Sequence, residues 1–206
     1  MNFSPIELCH KPLIDRYLAE QRIESSEMTF LSLYIWRRAF NIKFAQHSGC
    51  MVIAFRDNDY PPSLRFPMGD GDKHASIMAA CQHFTDQGFE PRFYGLTTDM
   101  TEQLVKLFPN KFEITPMRDY FDYVYSVERL ISLSGNELHS KRNHVNGFKR
   151  MYQYEYKPLT KSDRNEIKTV YDEWFSDTNK NPDYYLIDER QSIYDIIENF
   201  DVLGCK

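Results

Sequence analysis

The run Met51-Val52-Ile53-Ala54-Phe55 constrains this chain most. Five consecutive apolar residues lie between Gly49-Cys50 and the polar turn Asp57-Asn58-Asp59, the pattern of a buried strand. Pro61-Pro62 punctuates the sequence just beyond, so Leu64-Arg65-Phe66 reads as the strand that pairs with it. The flanking sequence supplies helices to cover such a sheet. Leu13, Ile14, Tyr17 and Leu18 recur at helical spacing within 12–23, and 29–38 packs Phe30, Leu33, Tyr34, Ile35 and Trp36 into a second helix with a buried face. A third helix runs from Asp72 to about Gln87, with Ile77, Ala80, Cys81 and Phe84 on one side and Gly88 as its stop.

Pro91 to Leu96 reads as a strand, and Thr98 as the N-cap of a helix reaching Leu107. Glu102 falls one residue beyond the capping-box spacing. Phe112-Glu113-Ile114 and Tyr123-Val124-Tyr125 alternate as strands do. Helix and strand interleaved in this way predict an α/β (α+β) fold, a sheet covered by helices. With 42% hydrophobic and 27% charged residues over 206 positions, the composition is that of a packed globular chain. Fifteen Phe and fourteen Tyr fill a core, and the polar tips of a Tyr surplus also suit a cleft or an interface.

No apolar run approaches the ~18–20 residues a membrane-crossing helix needs, and Met1 to Cys9 lacks the pattern of a signal peptide, so a cytoplasmic location is expected. Cys9, Cys50, Cys81 and Cys205 are far apart and form no CxxC or Cys/His cluster, which predicts reduced thiols and no metal site. His10, His47, His74 and His83 have no carboxylate or Cys at catalytic spacing and read as structural or exposed. Gly69-Asp70-Gly71 is the nearest thing to a phosphate-cradling loop, and its ordinary reading is a plain turn.

Past Tyr125 the character changes. Val127 to Leu133 is a short connector, Ser134-Gly135-Asn136 a break, and a polar helix is predicted from Glu137 to about Tyr154. Ile167, Val170, Tyr171 and Trp174 mark an amphipathic helix after Pro158, 176–183 reads as loop, and Ser192 to Phe200 as a last short helix before a segment that looks like the start of a strand. A domain beginning near Pro158 would hold helices and no finished sheet. Val170, Trp174, Ile196 and Phe200 then need partners on the first domain or on a second copy, which makes a homodimer an expectation.

A net charge of −5 argues against a nucleic-acid surface spread over the whole chain, yet Glu137 to Arg150 concentrates Lys141, Arg142, Lys149 and Arg150 with His139 and His144. On a helix, Lys141 neighbours His144, and Asn146 neighbours both Arg142 and Arg150, a strip able to hold phosphate or an RNA backbone. A solvated helix face is the plainer reading. Against it, Gly147 inside the helix costs ~1 kcal/mol relative to Ala and hints at a close approach, and Asn143 and Asn146 are poor helix formers.

Thr29-Phe30 followed by Tyr34-Ile35-Trp36, then Arg92-Phe93-Tyr94-Gly95-Leu96, and above all Tyr123-Val124-Tyr125 leading through Leu130-Ile131-Ser132-Leu133-Ser134-Gly135 to His139-Ser140-Lys141-Arg142-Asn143-His144, resemble one family. It is the family built on the C-terminal domain of bacterial phosphatidylglycerol lysyltransferase, and the resemblance spans nearly the whole chain. It implies tandem acetyltransferase-like (GNAT) domains related to the Fem-type aminoacyltransferases, which pass an aminoacyl group from a tRNA to an amine or hydroxyl. Under that resemblance 1–133 is a first GNAT-like domain, 134–157 a basic linker helix, and 158–206 the opening of a second GNAT-like domain. Family members generally run further, so the chain is expected to stop before the second sheet and much of the donor site.

The resemblance implies an acyltransferase with no permanently bound cofactor, whose donor is an aminoacyl-tRNA or an acyl-CoA and whose partner is a tRNA or another phosphate-bearing ligand. Lys141, Arg142, Asn143, His144, Lys149 and Arg150 are the candidate substrate-binding residues, with His144 the candidate general base. The alternative is a non-catalytic binding module, or an inactive fragment, that recognises RNA or a phosphate-bearing ligand through the same helix.

Overall fold

The computed structural model describes residues 1–21, 25–57, 60–178 and 183–205. Asn58 and Asp59 of the expected polar turn lie outside the described residues. The chain divides into two compact units, Met1–Ile114 with Lys161–Lys206, and Thr115–Thr160.

The larger unit is built on an antiparallel sheet of four strands, β1 (Ser4–Pro5), β2 (Lys43–His47), β3 (Cys50–Phe55) and β4 (Ser63–Leu64), in spatial order β1-β2-β3-β4. β2 and β3 form a hairpin in which His47 pairs with Cys50. Ser48 and Gly49, with φ of 48° and 80°, supply the two left-handed residues that such a tight turn requires. β3 pairs with β4 through Ala54 and Leu64, and Met51 pairs further along with Met68. Three steps along β3 thus face four along the partner strand, a one-residue bulge at Phe66-Pro67.

Helices α1 (Lys11–Gln21), α2 (Phe30–Ile35), α3 (Lys73–Asp86) and α4 (Thr98–Leu107) cover the two faces of this sheet. Met51 and Ile53 pack with Ile14, Tyr17, Phe30, Leu33 and Tyr34 of α1 and α2, whereas Val52 and Ala54 pack with Ala80 and Phe84 of α3. That division explains the unbroken apolar run. A strand covered on both faces has no solvent side on which to place polar residues. Ile77 of α3 continues into a third cluster with Phe66, Met100, Leu104 and Phe108, seating α4.

Two helices from late in the chain, α7 (Arg164–Thr178) and α8 (Tyr184–Leu203), complete the unit. α8 kinks at Asn199, where φ is −125°. Leu203 joins the first cluster, the buried Ser192 hydroxyl donates to the Ile35 carbonyl, and Arg38 pairs with Asp195 at 2.7 Å. The expected partners of Phe200 and Ile196 are therefore found: Phe200 is buried and Ile196 packs on the first core. Trp174 and Val170 remain exposed.

Several elements differ from expectation. Phe93 makes a single parallel bridge to Leu64, so Pro91 to Leu96 contributes one point of pairing and no ladder. Phe112-Glu113-Ile114 and Tyr123-Val124-Tyr125 form no strand among the described residues, since alternation marks a strand only where a partner edge exists. Thr97, one residue earlier than predicted, caps α4 by accepting from Met100 N–H. The chain from Tyr184 to Leu203 is one kinked helix, in place of a short helix over 192–200 and an incipient strand, and residues 179–182 of the expected loop lie outside the described residues.

The smaller unit holds α5 (Val127–Ser132) and α6 (His139–Met151). No helix of the described residues is long and apolar enough to cross a membrane.

Candidate functional site

The basic helix predicted from sequence is α6, and the turn before it is held by its own cations. Leu133 ends α5 in the left-handed conformation at φ 47°, and the Arg142 guanidinium donates to the carbonyls of Leu133 and Gly135. Arg129 pairs with Glu137 across the same turn at 2.6 Å. Arg142 is thus a positioning residue that ties α6 to the preceding turn.

Helical spacing sorts the remaining candidates onto two ladders. His139, Arg142, Asn143, Asn146, Lys149 and Arg150 step along one side at intervals of three and four, and Lys141, His144, Val145 and Phe148 along the other. The Asn143 side-chain amide lies 3.4 Å from His139 Nδ1. Lys141, His144, Lys149 and Arg150 are exposed, and their side chains have no ion pair or hydrogen bond among the described residues. Gly147 leaves open space, since no atom lies within 4 Å of where its Cβ would stand, so among the described residues no other element of the protein makes the close approach inferred from sequence.

Sequence reasoning missed the aromatic group at the end of α6. The Phe148 ring centroid lies 5.1 Å from that of Tyr152 and 5.2 Å from that of Tyr154, and all three side chains are about half exposed. Cations interleaved with exposed aromatic faces are the combination that binds single-stranded nucleic acid, through backbone charge and base stacking. The signal was the Tyr surplus, which composition alone does not place.

Among the described residues His144 has no side-chain partner that would fix its tautomer or aim its ring. The other histidines do structural work: His10 Nδ1 accepts the Glu7 N–H, His74 stacks on Phe108 at 4.6 Å, and Gln87 contacts His83, whose pKa is lowered chiefly by desolvation. All four cysteines are free, as predicted. Glu7, Cys9 and His10 are the one cluster of metal-ligating types among the described residues, with Glu7 and Cys9 exposed.

The turn Gly69-Asp70-Gly71 is filled by protein. A Cβ at Gly71 would meet the Ser48 carbonyl oxygen at 2.2 Å, and that oxygen accepts the Asp72 N–H at 2.9 Å. The Asp72 carboxylate caps α3 by accepting from Ala75 N–H. A pyrophosphate arriving here would meet a carboxylate and find the Asp72 and Ala75 amides already engaged. This turn does not suit the diphosphate of an acyl-CoA.

The family described as phosphatidylglycerol lysyltransferase, C-terminal, matches residues 19–206. The chain belongs to this family. A solved structure of a conserved protein of unknown function from Bacteroides thetaiotaomicron VPI-5482 is similar to this family member over 99% of the chain and 69% of its own, with 26% identity and a TM-score of 0.86. No curated protein sequence matches the chain.

Proposed function

We propose that the chain acts as an aminoacyl-tRNA-dependent acyltransferase. In this reading the sheet of the larger unit with its covering helices is GNAT-like, and α6 holds the RNA. The family described above names a lysyl group as the cargo and an anionic lipid as its acceptor. The observation that carries the reading is α6 itself, which exposes Lys149 and Arg150 on one ladder and Lys141 with Phe148 on the other, in a chain whose net charge is −5. Charge of one sign gathered on one helix is what a phosphate backbone selects.

The reaction needs neither metal nor redox partner. An acceptor hydroxyl or amine attacks the carbonyl carbon of the aminoacyl ester, a new ester or amide bond forms, and the ester bond to the terminal ribose breaks. The acceptor's proton ends on the departing ribose oxygen. His144 is the residue we assign to carry it, a role worth ~10²–10⁴-fold when a base is well placed. An aminoacyl-tRNA is favoured over an acyl-CoA as donor because of the Asp72 carboxylate and the engaged amides beside Gly71.

One observation favours a second reading. His144 has no partner to orient it among the described residues, as suits a module that binds RNA without chemistry. Titrating the chain with charged and uncharged tRNA separates the two. A transferase discriminates the aminoacyl end, whereas equal affinities identify a binding module.

A further inference from the structure

A second cationic site lies far along the sequence from α6, in the larger unit. A concavity of about 340 Å³ is lined by Pro5, Arg37, Arg38, Asn41, Ile42 and Lys43. Three of these six residues are cations, one is an amide and none is acidic, in a chain with 30 acidic residues against 25 Lys and Arg. The volume sits near the lower end of the ~300–1,000 Å³ typical of small-ligand sites.

Local structure builds this site in three steps. The chain leaves α2 through a turn in which Ile42 N–H reaches the Arg37 carbonyl at 2.9 Å and Asn41 adopts φ 42°, bringing Lys43 back beside Arg37 and Arg38. Lys43 then opens β2 opposite Pro5 of the edge strand β1, a residue with no N–H to offer. Arg37 is held by stacking, its guanidinium carbon 3.7 Å from the Tyr34 ring centroid, and it also donates to the Tyr34 carbonyl.

The charges here are not balanced. A single oxygen of Asp195 answers both Arg37, at 2.8 Å, and Arg38, at 2.7 Å. Each guanidinium carries five N–H donors, so both keep donors beyond those given to Asp195 and Tyr34. The Lys43 ammonium has no ion pair or hydrogen bond among the described residues. Two guanidiniums fixed by packing and a neighbouring ammonium form the donor set that tetrahedral oxyanions select.

We propose that this concavity binds the phosphate group of a small molecule, with Lys43 and Arg38 as direct contacts and Arg37 as the rigid wall. The proposal does not depend on the transferase reading. Calorimetric titration of the full chain with inorganic phosphate at low ionic strength tests it, alongside glycerol phosphate as an organic phosphomonoester.

Saturable binding of one phosphate per chain is expected. Lys43→Gln breaks no ion pair among the described residues; with the fold checked by circular dichroism and expected to be unchanged, it should weaken binding about tenfold, while Lys43→Arg retains it. The double variant K149Q/R150Q on α6 should bind as the parent does. Tighter binding of glycerol phosphate would mark an organic ligand and equal binding the free anion, both within the proposal. Absence of saturable binding, indifference to Lys43→Gln, or an equal loss in K149Q/R150Q would each overturn it.

Discussion

A Cβ on Gly71 would stand 2.2 Å from the carbonyl oxygen of Ser48. The β2–β3 hairpin turn rests on the loop entering α3, and the buried Ser76 hydroxyl fastens the two together by donating to the His47 carbonyl at 2.8 Å. Neither backbone can yield without breaking the Asp72 N–H bond to Ser48. Gly71→Ala is therefore expected to destabilise the chain by about 1–3 kcal/mol, the range for overpacked sites. A thermal melt unchanged from the parent would show that the hairpin moves aside at little cost.

Gly147 presents the opposite case. It sits inside α6 with open space around its missing Cβ. Gly147→Ala should raise helix stability by ~1 kcal/mol, read as a higher unfolding midpoint. If the variant is more stable but binds RNA more weakly, a ligand backbone approaches the helix at this point. Stability gained with binding intact would make Gly147 incidental.

The cations of α6 fall into two kinds. Neutralising Lys141, Lys149 and Arg150 should leave the melt unchanged and lower RNA affinity, with the salt slope of binding shrinking by about one for each phosphate that is no longer neutralised. Arg142→Gln should instead loosen the Leu133 to Gly135 turn that its guanidinium holds, seen as faster amide exchange there. Unchanged binding in the triple variant would remove α6 as the RNA-binding element.

Burial pushes the Cys81 thiol up to about 11. The folded chain thus holds this proton to higher pH than the unfolded chain, whose thiol titrates near ~8.5. The contribution to stability is complete below that unfolded value and declines as pH rises toward about 11. Between those limits the denaturation midpoint of the parent should fall more steeply with pH than that of Cys81→Ala. Cys9, which is exposed, should be alkylated well before Cys81.

Much of the larger unit was readable in the residues themselves. The run at Met51 to Phe55, the pairing with Leu64 and the helices at 11–21 and 73–86 follow from apolar periodicity and from Asp72 as a cap, both local signals. What escaped was set by residues far apart in the chain. Tyr123-Val124-Tyr125 alternates like a strand but has no edge to pair with among the described residues, so pattern and structure part company. α8 belongs with the first sheet because Ser192 and Asp195 meet residues at 35–38, a relation that no spacing along the chain encodes. At the site, the six candidates were legible as types, while their division between two ladders required a helix register. The Arg142 bond to Leu133 and the Phe148, Tyr152 and Tyr154 cluster required the fold.

The central claim is transfer of an aminoacyl group from tRNA. Its direct test is to incubate the chain with lysyl-tRNA labelled in the lysine and vesicles containing phosphatidylglycerol, then follow the label into the organic phase. The account predicts label leaving the tRNA and appearing on lipid at a rate that drops at least about tenfold in His144→Ala. Label that stays on the tRNA, with charged and uncharged tRNA bound equally well, would contradict it and leave an RNA-binding module.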